Sequence, residues 1–152
     1  MLSPGLLTLW TRQAMEAARA QDKAVSGEIT ARIADQGDVL DLLAACRVMA
    51  YQARQALLVL YRGPDFDQGE AWVLDQLGDA AGNPFRLFAA RLVTAYANRD
   101  HELVTALVAA AAGASPFERA ESLRSLVTYA AELDARAARH HHPTEGTEPH
   151  EN

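Results

Sequence analysis

The sequence predicts an all-α fold, a compact bundle of six or seven helices (orthogonal or up-down) with a disordered C-terminal tail. Alanine, the strongest helix former, supplies 31 of the 152 residues. Proline and glycine are concentrated at a few points that suit helix ends. No segment alternates β-branched and polar residues over the length of a strand. We therefore expect one helical domain over residues 1–139 and a tail rich in His, Glu and Pro over residues 140–152.

Capping residues mark the helix ends. Three pairs place a side chain that can accept a backbone hydrogen bond directly before a proline suited to the first helical position: Ser3-Pro4, Asn83-Pro84 and Ser115-Pro116. Ser115 and Glu118 also form the S-x-x-E pattern of a capping box. Gly63-Pro64 and Gly113 indicate two helix C-termini.

The first helix begins at Pro4 and either ends near Gln21 or continues to Ile33. Apolar residues stay near one face over the whole stretch: Leu7, Trp10, Ala14, Ala18, Val25, Ile29 and Ile33. A single long helix would break or bend at Ser26-Gly27. The pattern leaves one long helix and two shorter helices both open.

The next helix, capped by Asp38 and running to Arg62, is the longest. Its predicted buried face carries Val39, Leu42, Leu43, Cys46, Met49, Ala50, Ala53, Leu57 and Leu60. The opposite face carries Asp41, Arg47, Gln52, Arg54, Gln55 and Arg62. Four more apolar residues lie on that second side: Leu40, Val48, Leu58 and Val59. A helix this apolar is expected at the centre of the bundle, enclosed by neighbours on more than one side.

Four further helices are expected after the loop at 63–68. A short one carries Trp72, Val73 and Leu77, and the next spans Pro84–Asn98. A third follows Asp100, with Leu103, Val104, Leu107 and Ala111 inward. The last spans Pro116–Arg139, with Leu123, Leu126, Val127, Ala130 and Leu133 inward and a Glu132–Arg136 pair on the surface. Similar tripeptides recur 32–34 residues apart, so a stacked-hairpin solenoid is an alternative.

Charge and cysteine content narrow the function classes. Residues 1–62 carry seven basic and six acidic side chains, and residues 63–152 carry seven basic and fourteen acidic ones. Neither part has the basic footprint of a nucleic-acid binder or of a protein that binds anionic membranes. The N-terminal segment lacks the basic region of a signal peptide, and Cys46 has no partner for a disulfide. We expect a soluble cytoplasmic protein that binds neither nucleic acid nor membrane.

Two segments resemble metal sites only superficially. The acidic run 65–70 lacks the glycine and the final acid that an EF-hand loop requires, and we interpret Asp67 with Glu70 as a helix cap. The histidines at 140–142 lie in the predicted tail, without groups that would fix their orientation. We therefore predict no metal site and no cofactor.

The sequence contains no recognisable catalytic motif. His101 follows the cap Asp100 and suits a surface position at a helix start, while Cys46 lies mid-face on its helix and suits an inert buried thiol. There is no P-loop, no dinucleotide-binding glycine motif and no H-E-x-x-H zinc motif. A non-enzymatic role is favoured, although an all-α enzyme without a readable motif stays open as the third hypothesis.

Two surfaces are candidate functional sites. Arg47, Tyr51, Arg54 and Arg62, with Leu58, form a ridge on the long helix that could hold an anionic ligand or an acidic partner. The acidic segment 65–79 is an alternative, intramolecular partner for this ridge. Leu9 and Trp10 point about 100° apart on the helix, so one of them tends to stay exposed when the other is buried. The second surface, Leu6, Leu9 and Trp10, is therefore a candidate homodimer contact within residues 6–18.

These surfaces give two ordered hypotheses. The first is an adaptor-like interaction or regulatory protein that self-associates or binds a protein partner. The second is a small-ligand-binding regulator with an anionic-ligand pocket between helices near Arg47, Tyr51 and Arg54.

Overall fold

The computed structural model describes residues 1–73 and 82–141. Within these residues the chain forms six α-helices and one short 3-10 helix, and it contains no strand. The α-helices are α1 (Pro4–Arg19), α2 (Lys23–Gln36), α3 (Val39–Leu60), α4 (Pro84–Ala97), α5 (His101–Ala112) and α6 (Pro116–His141); the 3-10 helix is Phe66–Gln68. The all-α prediction is thereby confirmed.

The predicted N-caps are present, with the exception of Asp67. The side chains of Ser3, Asp38, Asn83 and Asp100 each accept a backbone N–H of the first helical turn that follows them. At the start of α6, the Ser115 hydroxyl accepts the Glu118 N–H at 3.2 Å, and the Glu118 carboxylate accepts the Ser115 N–H at 3.0 Å. Asp65, rather than the predicted Asp67, caps the 3-10 helix, and Glu70 accepts the Asp65 N–H at 2.8 Å.

The N-terminal stretch forms two helices, and the predicted break at Ser26-Gly27 is wrong. The chain turns at Gln21, which adopts a left-handed conformation with φ of 60°. The N–H groups of Gln21 and Asp22 bond to the carbonyls of Ala18 and Ala17, which closes α1, and Asp22 then caps α2. Ser26 and Gly27 lie inside α2, because capping by Asp22 starts the new helix before they are reached.

Helix α6 organises the bundle. It packs against each of the other five described α-helices, which is inconsistent with a solenoid of stacked hairpins. Its predicted inward residues Leu123, Leu126, Val127, Ala130 and Leu133 are all buried. The largest fully buried side chains of the described residues also include Ile33, Met49, Leu57 and Leu92, so a single core is shared by α2, α3, α4 and α6.

Helix α3 also contacts all the other described α-helices, as expected for a central helix packed on more than one side, but these helices leave part of its surface uncovered. Leu40, Val48 and Leu58 remain exposed, and Val59 is half-buried. The predicted core position Val39 is exposed, whereas Asp41, predicted on the polar face, is buried because it accepts two backbone N–H groups. Val25 and Leu103 are likewise exposed against expectation, since nothing in the described residues covers their side of α2 and α5.

Two predictions concern segments that the structure describes only in part. Trp72 and Val73 lie in irregular chain rather than in a helix, and Leu77 lies outside the described residues. Trp72 is buried, and its backbone is tied to Asn98 by two hydrogen bonds of 2.7 and 3.1 Å. Helix α6 reaches His141, two residues beyond the predicted domain end, and the rest of the predicted tail lies outside the described residues.

Across residues 1–73 and 82–141, no helix combines the length and the apolar character needed to cross a membrane.

Candidate functional site

An exposed stripe runs along the side of α3 that faces away from the bundle. At 100° per residue, positions 40, 44, 47, 48, 51, 54, 55 and 58 fall within about 60° of Tyr51. We call this stripe the outer face of α3. Its exposed apolar side chains are Leu40 (66%), Val48 (46%), Leu58 (45%) and Tyr51 (44%). From Leu40 to Leu58 the face extends about 27 Å, since a helix rises 1.5 Å per residue.

The outer face is cationic as well as apolar. Arg47 is exposed and Arg54 is half-buried beside Tyr51, while Asp41, the only acid of α3, is turned into the bundle. Arg62 follows the C-cap Tyr61 and is also exposed. None of these three arginines forms an ion pair with another described residue; the described ion pairs involve Arg19, Arg32, Arg86 and Arg124.

The acidic segment does not neutralise the ridge where the structure describes it. Asp65 and Glu70 accept backbone N–H groups within their own loop, and Asp67 pairs with none of the three arginines. Asp75 and Asp79 lie outside the described residues. The structure thus brings Arg47, Tyr51 and Arg54 together on one face and places Arg62 at its end.

An anionic-ligand pocket near Arg47, Tyr51 and Arg54 stays a prediction. The described surface includes clefts of about 640, 410 and 380 Å³, and Arg47, Tyr51 and Arg54 do not line these three. The cleft of 380 Å³ is a groove between α1 and α3, lined by Thr8, Thr11, Arg12, Val48 and Gln52 among others. Val48 belongs to both the groove and the outer face, so the two surfaces are continuous.

The candidate dimer surface on α1 is divided. Leu6 and Trp10 are half-buried and pack against the core, while Leu9 is 38% exposed. The expectation that one member of the Leu9–Trp10 pair stays in solvent matches this arrangement. The neighbouring exposed residues Arg12, Gln13 and Glu16 are polar, so Leu9 supplies the apolar surface here.

The cleft of about 640 Å³ lies beyond the end of the outer face, between the C-terminal end of α3, the segment that follows it and α6. Tyr61, Arg62, Trp72, Tyr129 and Arg136 line it together with apolar residues. Nη2 of Arg136 donates a hydrogen bond of 2.7 Å to the Tyr61 hydroxyl oxygen, across 75 positions of sequence. We call this site the Tyr61–Arg136 cleft. Burial raises the pKa of Tyr129, whose ring lies 6.0 Å from the Arg86 guanidinium.

The predicted Glu132–Arg136 surface pair is wrong, because both side chains have partners on other elements. Glu132 pairs with Arg86 of α4 at 3.2 Å, and Arg136 binds Tyr61. Sequence reasoning missed this site, since its members come from positions 61, 72, 129 and 136 with no local pattern to connect them.

The residues considered for chemistry occupy structural positions. Cys46 is 2% exposed, and burial raises the pKa of its thiol to about 12, so it stays protonated at neutral pH. His101 is the exposed first residue of α5. In the described part of the chain, no three His, Cys, Asp or Glu side chains are grouped as metal ligands. The outer face of α3 and the Tyr61–Arg136 cleft, as far as the described residues show them, present hydrogen-bonding and apolar groups rather than a nucleophile beside a base.

Comparison with known proteins adds no relative: no protein-family model, curated protein or solved structure matches this chain.

Proposed function

We propose that this protein is a non-enzymatic interaction protein that binds a protein partner through the outer face of α3. The observation that supports this is the composition of that face. Leucine and valine side chains about half or more exposed stand beside Tyr51 and Arg47 on a helix that is otherwise packed into the core. Tyrosine and arginine are the residues enriched at energetic hot spots of protein interfaces.

The chemistry of the face favours an acidic, amphipathic partner segment. Such a helix lays its apolar side along a hydrophobic stripe and contributes anchors at positions i, i+3, i+4 and i+7. Leu40, Val48 and Leu58 would contact these anchors. Carboxylates on the flank of the partner helix would meet Arg47, Arg54 and Arg62, which have no acidic partner among the described residues.

A second copy of this chain fits the same face less well. Pairing two outer faces would bring together the arginines of both copies, and like charges oppose association unless they are offset.

In the complex with an acidic partner helix, apolar burial would supply most of the affinity, at roughly 1.5–3 kcal/mol for each large side chain. Each exposed ion pair between an arginine of this face and a carboxylate of the partner would add about 0.2–1 kcal/mol and would weaken with salt.

A capture experiment tests the proposal. The full chain, immobilised, is exposed to extract of the organism that encodes it, and bound proteins are identified by mass spectrometry. Leu40→Glu and Arg47→Glu place a negative charge on the outer face, and Leu103→Glu is the control, since Leu103 is 44% exposed on α5. A specific partner should be retained by wild type and by the control, and reduced about tenfold by each outer-face variant, since 1.4 kcal/mol corresponds to a factor of ten.

Two results would contradict the proposal. One is a stoichiometric partner that all four proteins retain equally, which would place the interface elsewhere. The other is a partner lost equally with Leu103→Glu, which would indicate a general effect of added charge. Circular dichroism of each variant is measured alongside, and because the substituted side chains are exposed, helicity should be unchanged.

A further inference from the structure

The Tyr61–Arg136 cleft has the size and construction of a small-molecule site. Its volume of about 640 Å³ lies within the range of ligand pockets, roughly 300–1,000 Å³. Its apolar walls include Leu57 and Leu133, which are 1% and 3% exposed, and Trp72, which is 9% exposed. The backbone of Trp72 is held on both sides by the Asn98 side chain, so this wall is fixed before a ligand arrives.

Hydrogen-bond donors converge on these walls. Because the Tyr61 hydroxyl oxygen accepts its bond from Arg136, the proton of that hydroxyl remains available to donate. The Arg136 guanidinium retains further N–H donors, since one guanidinium carries five. The Tyr129 hydroxyl makes no hydrogen bond to a described residue, and Tyr129 lines the same cleft. A group that accepts several hydrogen bonds is therefore the complementary ligand head.

The charge around the cleft favours an anion. Arg62 and Arg136 line it, and neither forms an ion pair within the described part of the chain. Glu70 also lines it, but one oxygen of its carboxylate already accepts the Asp65 N–H. Arg86 and Glu132, the nearby charges on α4 and α6, neutralise one another. The lining groups thus carry two positive charges against one negative charge.

The position of the cleft at the end of α3 limits the ligand charge. The carbonyl end of a helix carries about half a negative charge, which disfavours a dianion such as phosphate. A planar monoanion matches the fork of a guanidinium better, because its two oxygens can accept parallel N–H bonds. The rings of Tyr61, Trp72 and Tyr129 on the walls favour a flat aromatic body over a flexible alkyl chain.

We propose that the Tyr61–Arg136 cleft binds a small aromatic carboxylic acid. Its carboxylate accepts hydrogen bonds from Arg136 and from the Tyr61 hydroxyl, and its ring lies between Trp72 and the aliphatic wall of Leu57 and Leu133. This site adjoins the C-terminal end of the outer face of α3, and Arg62 borders both, but the contacts proposed for the ligand do not depend on the partner proposed for that face.

Isothermal titration calorimetry of the full chain with 3-phenylpropanoate tests the site. Binding should saturate at one ligand per chain. The neutral isostere 3-phenylpropanamide, the alkyl acid octanoate and inorganic phosphate should each bind at least tenfold more weakly. Arg136→Gln should weaken 3-phenylpropanoate at least tenfold and remove the preference for acid over amide. Arg124→Gln is the matched control, because Arg124 is on α6 but does not line this cleft, and it should bind as wild type does.

A second variant keeps the test decisive if Arg136→Gln fails to fold. Tyr61→Phe leaves the guanidinium in place, removes the hydroxyl donor and changes a residue that is 47% exposed, so folding should be retained. Tyr61→Phe should weaken the binding of 3-phenylpropanoate severalfold and that of 3-phenylpropanamide less. The proposal is overturned by the absence of saturable binding, by equal affinity for acid and amide, by tighter binding of octanoate or phosphate, or by wild-type affinity in both cleft variants.

Discussion

Asp41 fixes the N-terminal segment from within the bundle. One oxygen of its carboxylate, Oδ2, accepts the N–H of Leu2 at 2.8 Å and that of Asp38 at 3.0 Å. The bond from Leu2 is the main reason that the pKa of Asp41 lies below its ordinary value, despite burial, which acts in the opposite direction. A carboxylate that is buried and bonded in this way couples the folding of this segment to pH.

Replacing Asp41 should therefore cost stability in a pH-dependent way. We expect Asp41→Ala to lower the free energy of unfolding by about 2 kcal/mol at neutral pH, because the buried N–H of Leu2 and the half-buried N–H of Asp38 lose their acceptor. Asp35→Ala, at an exposed position on α2, should change it by less than about 0.5 kcal/mol. A carboxylate whose pKa is lower in the folded state contributes stability that is fully present above the unfolded pKa of about 3.9. This contribution is lost as the pH falls through the folded pKa. Urea titrations at pH 7 and below pH 4 should show the difference shrinking in acid; a constant difference would contradict this explanation.

Cys46 should behave as a small core residue. It is 2% exposed in the middle of α3, and the raised pKa of its thiol keeps it protonated. Cys46→Ala should reduce stability by on the order of 1 kcal/mol, through a small void. A thiol reagent should label native wild-type protein slowly and urea-unfolded protein rapidly. Immediate labelling of native protein would show that Cys46 is accessible and would refute its assignment to the core.

The turn between α1 and α2 holds a residue other than glycine in a strained backbone conformation, which a substitution should relieve. Gln21 occupies the left-handed region, which disfavours residues with a Cβ, and its side chain is exposed. Gln21→Gly should raise the free energy of unfolding by roughly 0.5–1 kcal/mol, after allowance for the larger entropy of glycine in the unfolded chain. The matched control Gln13→Gly, inside α1, should lower it by about 1 kcal/mol. Thermal melts that move in the same direction for both variants would rule out the conformational explanation.

How far the elements could be predicted depended on whether their determinants were local. Ser115, Glu118 and the prolines act on the helix in which they stand, so the starts of α1, α4 and α6 were readable from sequence. The Ser26-Gly27 break was wrong because Asp22 and Gln21 place the turn earlier. The Glu132–Arg136 pair was wrong because Arg86 and Tyr61 compete for its members from other elements. Side-chain contacts between different elements produce no periodic pattern in the sequence.

In the molecule as a whole, residue spacing predicted much of the buried core correctly but did not show which apolar residues would stay exposed. The buried stripe of α6 follows from 3.6-residue spacing, and so does much of that of α3. The same spacing could not show that the apolar residues at positions 40, 48 and 58 would stay uncovered, because this depends on where the other helices dock. The residues of the ridge were identified, whereas the Tyr61–Arg136 cleft exists only once α3 and α6 are packed together.

Self-association through residues 6–18 stays a prediction, and the structure refines how it should be tested. Leu9 is the exposed apolar residue of the three, so Leu9→Glu changes the surface without disturbing Leu6 and Trp10, which pack against the core. Light scattering at micromolar concentration should give the mass of a dimer for wild type and of a monomer for Leu9→Glu. Leu103→Glu is the control and should remain dimeric. Wild-type monomer, or a Leu9→Glu dimer, would disprove the predicted contact.

The packing of α6 against every other described α-helix has a consequence for synthesis on the ribosome. The five described α-helices that precede α6 emerge first, yet the helix that all of them pack against follows them. Residues 1–113 alone would lack the helix that packs against α2, α3 and α4, the helices that carry the buried residues Ile33, Met49 and Leu92. Nascent chains of this length should therefore be helical but loosely packed, open to chaperones and proteases, until residues 116–141 have left the exit tunnel. Protease resistance of stalled nascent chains should appear abruptly at that length rather than increase helix by helix.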